Sequence, residues 1–379
     1  MDSVGVFLER EAPMLLTEIL DEVPDPRGYN AVHELTDVLF VALAAVLCGA
    51  VHCTEMAFFA KSRLELLRQF VPLERGAPSH DTFTRVLGAL DPQAFQAAFG
   101  RFMAAFGEQA RADTRGQVAV DGKSLRRAYD KGRSHMPPLV VTAFDCETFM
   151  SLGQVVSQAG GEAQAAIAAL ELLSLKGSIV SGDALHCHRS LTATVRAGGG
   201  HYVLALKGNQ ATLAKQAGAV LDKAQASART PIAETEDRAH GRHEVRRAIV
   251  VPFAQVSGRN ALVDLKAVAR VESWRTLDGK TTHNVRDYVL SQRLTPAEVL
   301  RAVRNHWAIE NHLHWQLDVL MAEDQTRNRK HNGPANLAAL RRLALNVLRS
   351  DPEKIPLSHK RLKARWANED LLKLMTHMR

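Results

Sequence analysis

The hydrophobic pattern of the chain changes at about residue 116, and this change restricts the possible folds more than any other feature of the sequence. Residues 14–110 have a helical pattern, in which the apolar residues between Leu35 and Val46 recur with a period of 3.6. From residue 118 onward, three strand-like runs follow one another, and strands then alternate with helices. The strands are predicted at 118–122, 139–144, 149–156, 178–182 and 201–206, and the helices at 160–173, 188–196 and 210–226. This order predicts an α/β fold in which helices flank a mixed sheet, preceded by a helical N-terminal domain.

The strand pattern returns between residues 231 and 292, where polar and apolar residues alternate in three short runs. We interpret this stretch as a β-rich insertion in the α/β domain. Helices are then predicted at 296–322, 335–349 and 361–378, the first beginning with a capping box at Thr295 and Glu298. The sequence therefore predicts three regions, which are a helical domain at 1–112, an α/β domain at 113–350 and a basic helical tail at 351–379.

The composition excludes several classes of protein. Apolar residues make up 46% and charged residues 23%, so wholesale disorder is excluded. The four cysteines include no CxxC pair, which favours a reduced, cytoplasmic protein over a disulfide-stabilised one. We find no signal-peptide pattern, and the longest apolar run, from Val38 to Val51, is shorter than the roughly 20 residues that span a bilayer. A membrane partner is therefore not expected.

The formal net charge of +7 is unevenly distributed. Residues 1–60 contain ten acidic and two basic residues, whereas residues 325–379 contain thirteen Lys and Arg against four Asp and Glu. Such a basic C-terminal region could bind a polyanion, or it could be an ordinary solvated helix face. The charge pattern alone does not decide between the two.

Three acidic residues occupy positions that suit catalysis. Asp121 and Asp183 each follow a strand-like run, and Glu310 lies on an amphipathic helix. Carboxylates at the carboxyl ends of neighbouring strands, joined by a third from a helix, could hold one or two Mg²⁺ ions for phosphoryl transfer. For each acid alone a turn, a helix cap or a solvated surface is the commoner role.

Several segments around these acids resemble the DDE transposases of bacterial insertion sequences, specifically the ISAs group that includes the H-repeat-associated proteins. The resemblance covers residues 14–350. It rests on Val120-Asp-Gly-Lys-Ser-Leu-Arg126, Gly182-Asp-Ala-Leu-His186, Ala205-Leu-Lys-Gly-Asn-Gln210, Asn305-His-Trp-Ala-Ile-Glu-Asn-His-Leu-His-Trp-Gln-Leu-Asp-Val319, Glu323-Asp-Gln-Thr-Arg327 and Asn336-Leu-Ala-Ala-Leu-Arg-Arg342. It implies a ribonuclease H-like core and a catalytic, metal-binding triad of Asp121, Asp183 and Glu310.

The resemblance also implies a function, which is the metal-dependent cleavage and transfer of DNA strands at the ends of an insertion sequence. The expected cofactor is Mg²⁺, with Mn²⁺ as a substitute. The expected partners are the double-stranded DNA of the element ends and target, together with further copies of the chain bound to that DNA, in the bacterial cytoplasm at the nucleoid. A structure-selective nuclease of the same fold and a non-catalytic DNA-binding relic of an element remain as alternatives.

A further set of residues forms weaker candidates for DNA binding: Lys123, Arg126, Lys207, His306, Arg341 and Arg342. Lys and Arg side chains commonly bind phosphate, and the helix after residue 207 could direct its N–H groups to one. Surface solvation, or pairing of the two neighbouring arginines with Glu323 or Asp324, is the alternative. Zinc binding by His306, His312 and His314 is not expected, because the middle histidine lies on another helix face.

Overall fold

The computed structural model describes residues 16–110, 116–128, 137–157, 161–239, 241–254 and 261–376. The described residues before the sheet form six helices. They are α1 (Leu16–Asp21), α2 (Leu35–Leu47), α3 (Cys53–Ser62), α4 (Leu64–Leu67), α5 (His80–Ala89) and α6 (Pro92–Ala110). Helix α2 is buried on all sides, which accounts for its nearly continuous apolar sequence.

Five strands follow, and they form a mixed sheet. They are β1 (Gln117–Ser124), β2 (Leu139–Asp145), β3 (Ser151–Ser157), β4 (Ile179–Gly182) and β5 (His201–Leu206). Their order in the sheet is β3-β2-β1-β4-β5, with β1, β2 and β3 antiparallel and β1, β4 and β5 parallel. This is the ribonuclease H-like arrangement that the resemblance implies.

Three helices connect and flank these strands. They are α7 (Glu162–Glu171) between β3 and β4, α8 (Arg189–Ala197) between β4 and β5, and α9 (Ala211–Gln225) after β5. Parallel strands require crossover connections, and helices supply them here, as the alternating sequence pattern predicts. Because α7 packs on β2 and β3, its first turn lies near the central strands.

The predicted β-rich insertion continues the same sheet. Four strands occupy this region: β6 (Ile232–Ala239), β7 (Arg242–Pro252), β8 (Ala267–Leu277) and β9 (Lys280–Leu290). They form an antiparallel meander, and β9 pairs with β5, which gives a nine-stranded sheet in the described residues.

The helix predicted at 296–322 is divided into three segments, so the prediction of one continuous helix is wrong. Helix α10 (Pro296–His306) begins with the predicted capping box, in which the Glu298 amide N–H donates to Thr295 Oγ1. A π-helical segment at 309–314 follows, and α11 (Trp315–Val319) continues from it. A π-helical turn contains more residues than an α-helical turn, so it changes the directions of the side chains that follow.

The basic C-terminal region contains α12 (Gly333–Ser350), α13 (Leu357–Trp366) and α14 (Asn368–Thr376). Helix α12 is almost completely buried, and it packs against α2, α5, α6 and β3. It therefore connects the N-terminal helices to the sheet. Within the described residues, no helix is both long and apolar enough to cross a membrane.

The burial of α12 corrects the prediction that Arg341 and Arg342 bind DNA. Their exposed fractions are 2% and 0%. Arg342 donates hydrogen bonds to Glu323 at 3.0 Å and to Thr142 at 3.2 Å, and Arg341 donates to the carbonyl of Val51 at 3.1 Å. Side chains that are buried and paired in this way cannot reach a phosphate, so the prediction that Arg341 and Arg342 bind DNA is wrong. For Arg342, the alternative of pairing with Glu323 is confirmed.

Candidate active site

The parallel pairing of β1 and β4 brings Asp121 and Asp183 next to each other. Val120 in β1 is opposite Gly182 in β4, and each aspartate is the next residue in its chain segment. Strand β4 ends at Gly182, so Asp183 follows its carboxyl end, as in many ligand sites of open α/β sheets.

The π-helical segment adds Glu310 and His314 to Asp121. The Nδ1 atom of His314 lies 3.3 Å from Glu310 Oε2 and 3.6 Å from Asp121 Oδ2. One oxygen of each carboxylate and a ring nitrogen of the histidine all lie within 4.8 Å of one another. The two carboxylates are close enough to share one cation after small side-chain movements, and carboxylates are ligands that suit Mg²⁺ or Mn²⁺.

Burial and the proximity of these groups shift the pKa values of Asp121 and Glu310. Burial raises the pKa of Asp121 to about 6, and the negative charges of Glu310 and Asp183 act in the same direction, while His314 opposes them. The pKa of Glu310 is lowered, chiefly because the His314 ring donates a hydrogen bond to it. A buried carboxylate crowded by others is an environment that a cation would stabilise.

A second group of possible ligands also contains Asp121. It adds Glu162, from the first turn of α7, and His186, from the turn after β4, with donor atoms again within 4.8 Å of one another. Burial and the charge of Asp183 raise the pKa of Glu162. Glu162 was not predicted from the sequence. Its carboxylate lies beside Gly122, where a Cβ atom would come 2.5 Å from Glu162 Oε1.

Asp183 belongs to neither of these groups in the described residues. Its Oδ1 atom accepts a hydrogen bond from the Leu185 amide at 2.8 Å and lies 3.9 Å from His186 Nε2, and the side chain is 54% exposed. Asp183 therefore caps the short 3₁₀ turn after β4, which is the structural role that the sequence left open. Its charge nevertheless acts on both Asp121 and Glu162.

The sequence model of a protein family described as "Transposase DDE domain" matches residues 107–347, which is more than half of the chain. The chain belongs to this family. A second model, described as "DDE_Tnp_1-associated", matches residues 17–103, the region of the N-terminal helices.

Named relatives resemble this transposase over most of its length. The "H repeat-associated putative transposase YhhI" of Escherichia coli (strain K12) is 32% identical over 346 residues, covering 89% of this chain and 90% of the relative. The "Putative transposase YncI" of Escherichia coli O157:H7 is 31% identical over 349 residues, with coverage of 88% and 87%. Among solved structures, a piggyBac transposase synaptic complex with hairpin DNA matches with a TM-score of 0.41 and 10% identity, covering 96% of this chain and 76% of that one.

The structure corrects one more DNA-binding prediction for this transposase, that for Lys123. Its side chain is 8% exposed, and its Nζ atom lies 2.8 Å from Asp318 Oδ1 and 3.2 Å from Asp324 Oδ1. Because Asp318 lies on α11, the Lys123 ammonium connects β1 to the segment that follows Glu310. Lys123 is therefore an internal ion-pair partner, and the prediction that it reaches a phosphate is wrong.

Arg126 and Lys207 remain accessible. The Arg126 side chain is 77% exposed and lies 3.5 Å from Asp324, and Lys207 is exposed at the end of β5. The segment after Lys207 is held to the Asp183 turn by hydrogen bonds from the side chains of Asn209 and Gln210 to backbone carbonyls. DNA binding by these two residues stays a prediction.

His306 lies inside the site and not on an open surface. Its Nδ1 atom is 3.1 Å from Ser181 Oγ, which also accepts a hydrogen bond from Gln117 Nε2 at 2.7 Å. Burial lowers the pKa of His306 to about 4, so the ring is neutral at neutral pH. His312 points elsewhere, because its ring stacks on Phe149 at a centroid distance of 4.0 Å. His306 and His312 thus face different partners, and whether His306 contacts DNA stays a prediction.

Proposed function

We propose that this transposase cleaves the DNA strands at the ends of an insertion sequence and joins the freed 3′ ends to target DNA. The observation that supports the proposal most strongly is the convergence of Asp121 and Glu310, with Asp183 at the end of the neighbouring strand β4. Such a carboxylate cluster suits phosphoryl transfer, in which the protein mainly positions the reacting groups and balances their charge.

In this proposal, the catalytic residues are Asp121, Asp183 and Glu310, and they hold divalent cations. The expected ion is Mg²⁺, and Mn²⁺ can substitute for it. The cations would supply an activated water or 3′ hydroxyl as nucleophile and would stabilise the leaving oxygen. The chain itself holds the carboxylates in place. His314 keeps Glu310 oriented through the contact at 3.3 Å, and Lys123 ties β1 to the segment after Glu310.

DNA is the proposed partner, and Arg126 and Lys207 are the proposed phosphate contacts near the catalytic residues. Both are exposed, and Lys207 lies on the loop that is held to the Asp183 turn. Such contacts position the DNA without reading its sequence. Since two element ends must be brought together before joining, we also propose that copies of the chain associate on DNA.

The proposal is tested with linear DNA that carries the inverted repeats flanking the gene, incubated with the protein, Mg²⁺ and a supercoiled target plasmid. The expected result is cleavage that leaves 3′ hydroxyl ends, followed by products in which those ends are joined to the plasmid. DNA with scrambled ends serves as the control. Cleavage without joining would identify a nuclease, and binding without cleavage would identify a DNA-binding relic.

A further inference from the structure

The second ligand group contains a buried histidine with no hydrogen-bond partner. His186 is 0% exposed, and within the described residues neither of its ring nitrogens forms a hydrogen bond. The Nε2 atom lies 3.9 Å from Asp183 Oδ1, which is beyond hydrogen-bond distance. A buried polar atom without a partner destabilises the folded protein, so a ligand for this ring is expected.

Gly122 provides the space in which the Glu162 carboxylate lies close to Asp121 and His186. A Cβ atom at position 122 would lie 2.5 Å from Glu162 Oε1 and 2.9 Å from its Cδ atom. The φ angle of Gly122 lies outside the left-handed region, so the backbone does not require glycine there. The missing side chain at 122 instead lets the Glu162 carboxylate approach Asp121.

We propose that Asp121, Glu162 and His186 form a binding site for a divalent transition-metal ion such as Mn²⁺. The three donor atoms lie within 4.8 Å of one another. Two carboxylates and one imidazole favour such an ion over Mg²⁺, which prefers oxygen ligands. The inference rests on the proposed function for the role of the ion, because Asp121 is shared with the Glu310 group. Glu162 is then a fourth acidic residue of the active site.

The first test measures Mn²⁺ binding to the full chain without DNA, from the decrease of the electron paramagnetic resonance signal of free Mn²⁺. The wild type should bind two ions. Glu162→Gln should lose one of them or bind it at least about tenfold more weakly. Gly122→Ala should do the same, because its methyl group displaces the flexible end of Glu162. Glu171→Gln makes the same chemical change at the exposed end of α7 and should bind Mn²⁺ as the wild type does.

The second test identifies the nitrogen ligand by pulsed electron paramagnetic resonance, which detects ¹⁴N coupled to bound Mn²⁺. The variant His314→Gln removes the histidine of the other group, so a remaining ¹⁴N signal assigns the ligand to His186. Unchanged Mn²⁺ binding in Glu162→Gln, or no ¹⁴N signal in His314→Gln, would overturn the inference. The proposed function would still be supported in that case if the wild type cleaved DNA. Failure of the wild type both to bind Mn²⁺ and to cleave DNA would overturn the two together.

Discussion

The substitution Asp121→Asn should stabilise the metal-free protein while it abolishes catalysis. Asn keeps the size and hydrogen-bonding capacity of the side chain and removes its charge. In the folded protein that charge is partly buried and lies near Glu310 and Asp183, which is why the pKa of Asp121 rises to about 6 from its ordinary value of 3.8. Ionised Asp121 therefore opposes folding.

The size of the effect and its pH dependence follow from these two pKa values. Below pH 3.8 the carboxyl group is protonated in both folded and unfolded chains, and its contribution to stability does not change with pH. As the pH rises through 3.8 towards about 6, the unfolded chain ionises more readily than the folded one, so the folded protein loses stability. The full cost, present above about pH 6, is roughly 1.5–3 kcal/mol, where the lower value allows for solvent screening of a side chain that is 21% exposed.

The assay compares urea denaturation of wild type and Asp121→Asn in chelator at pH 8 and at pH 4. The variant should have the higher free energy of unfolding at pH 8, and the difference should fall below about 1 kcal/mol at pH 4. Adding Mn²⁺ should stabilise the wild type and have little effect on the variant. A variant that is less stable than the wild type by the same amount at both pH values would show that Asp121 is a structural hydrogen-bonding residue, and the reasoning would be refuted.

Three further predictions concern other parts of the molecule. Arg342→Ala should lower the free energy of unfolding by about 3–5 kcal/mol, because Glu323 stays buried, loses the Arg342 contact at 3.0 Å and keeps only Lys123 at 4.0 Å; a loss below about 1 kcal/mol in urea denaturation would contradict this. Lys207→Ala should weaken DNA binding and reduce the slope of log K against log salt concentration by about one, whereas an unchanged slope in filter-binding titrations would place Lys207 outside the DNA path. Asp183→Asn should leave the melting temperature nearly unchanged, since Asn also caps turns, and should reduce Mg²⁺-dependent nicking by several orders of magnitude. Nicking near the wild-type rate would remove Asp183 from the site.

The order of elements could be predicted from the sequence because it depends on local patterns. Strand β5 was predicted at its observed bounds, and β1 to β4 within a few residues, since each is a short apolar run between turn residues. Strand β6 of the insertion was not predicted, whereas β7, β8 and β9 were predictable from alternation. Their pairing was not, because alternation shows which face of a strand is buried but not that β9 joins β5 in the same sheet.

The site was predictable only where an acid interrupts an apolar pattern. Asp121 and Asp183 stand out after strand-like runs, whereas Glu162 lies in the first turn of a helix, where acidic residues are common because they interact favourably with the helix dipole. Its proximity to Asp121 depends on the packing of α7 on the sheet and on the space at Gly122. The π-helical turn at Glu310 was likewise not predictable, because the spacing of four residues between Glu310 and His314 is compatible with an ordinary α-helix.

DNA binding by Arg341 and Arg342 was predicted wrongly because a count of charges assumes that every Arg lies on the surface. That assumption is usually correct, since arginine is rarely buried unless it is paired. Here Glu323, from the segment just before α12, and Thr142, from the distant strand β2, provide partners for Arg342 inside the protein, and the Val51 carbonyl provides one for Arg341. Only the tertiary structure shows that these charges are internal.

The central claim is that Asp121, Asp183 and Glu310 act as one phosphoryl-transfer site. The most direct measurement is the single-turnover rate of Mg²⁺-dependent cleavage at the element ends for Asp121→Asn, Asp183→Asn, Glu310→Gln and the triple variant. The exposed turn variant Asp278→Asn serves as a matched control, because Asn suits its left-handed backbone conformation. We predict that each single change lowers the rate at least about a thousandfold, that the triple variant is no slower than the singles, and that the control matches the wild type. A single variant within tenfold of the wild-type rate, or losses that multiply in the triple variant, would contradict the claim.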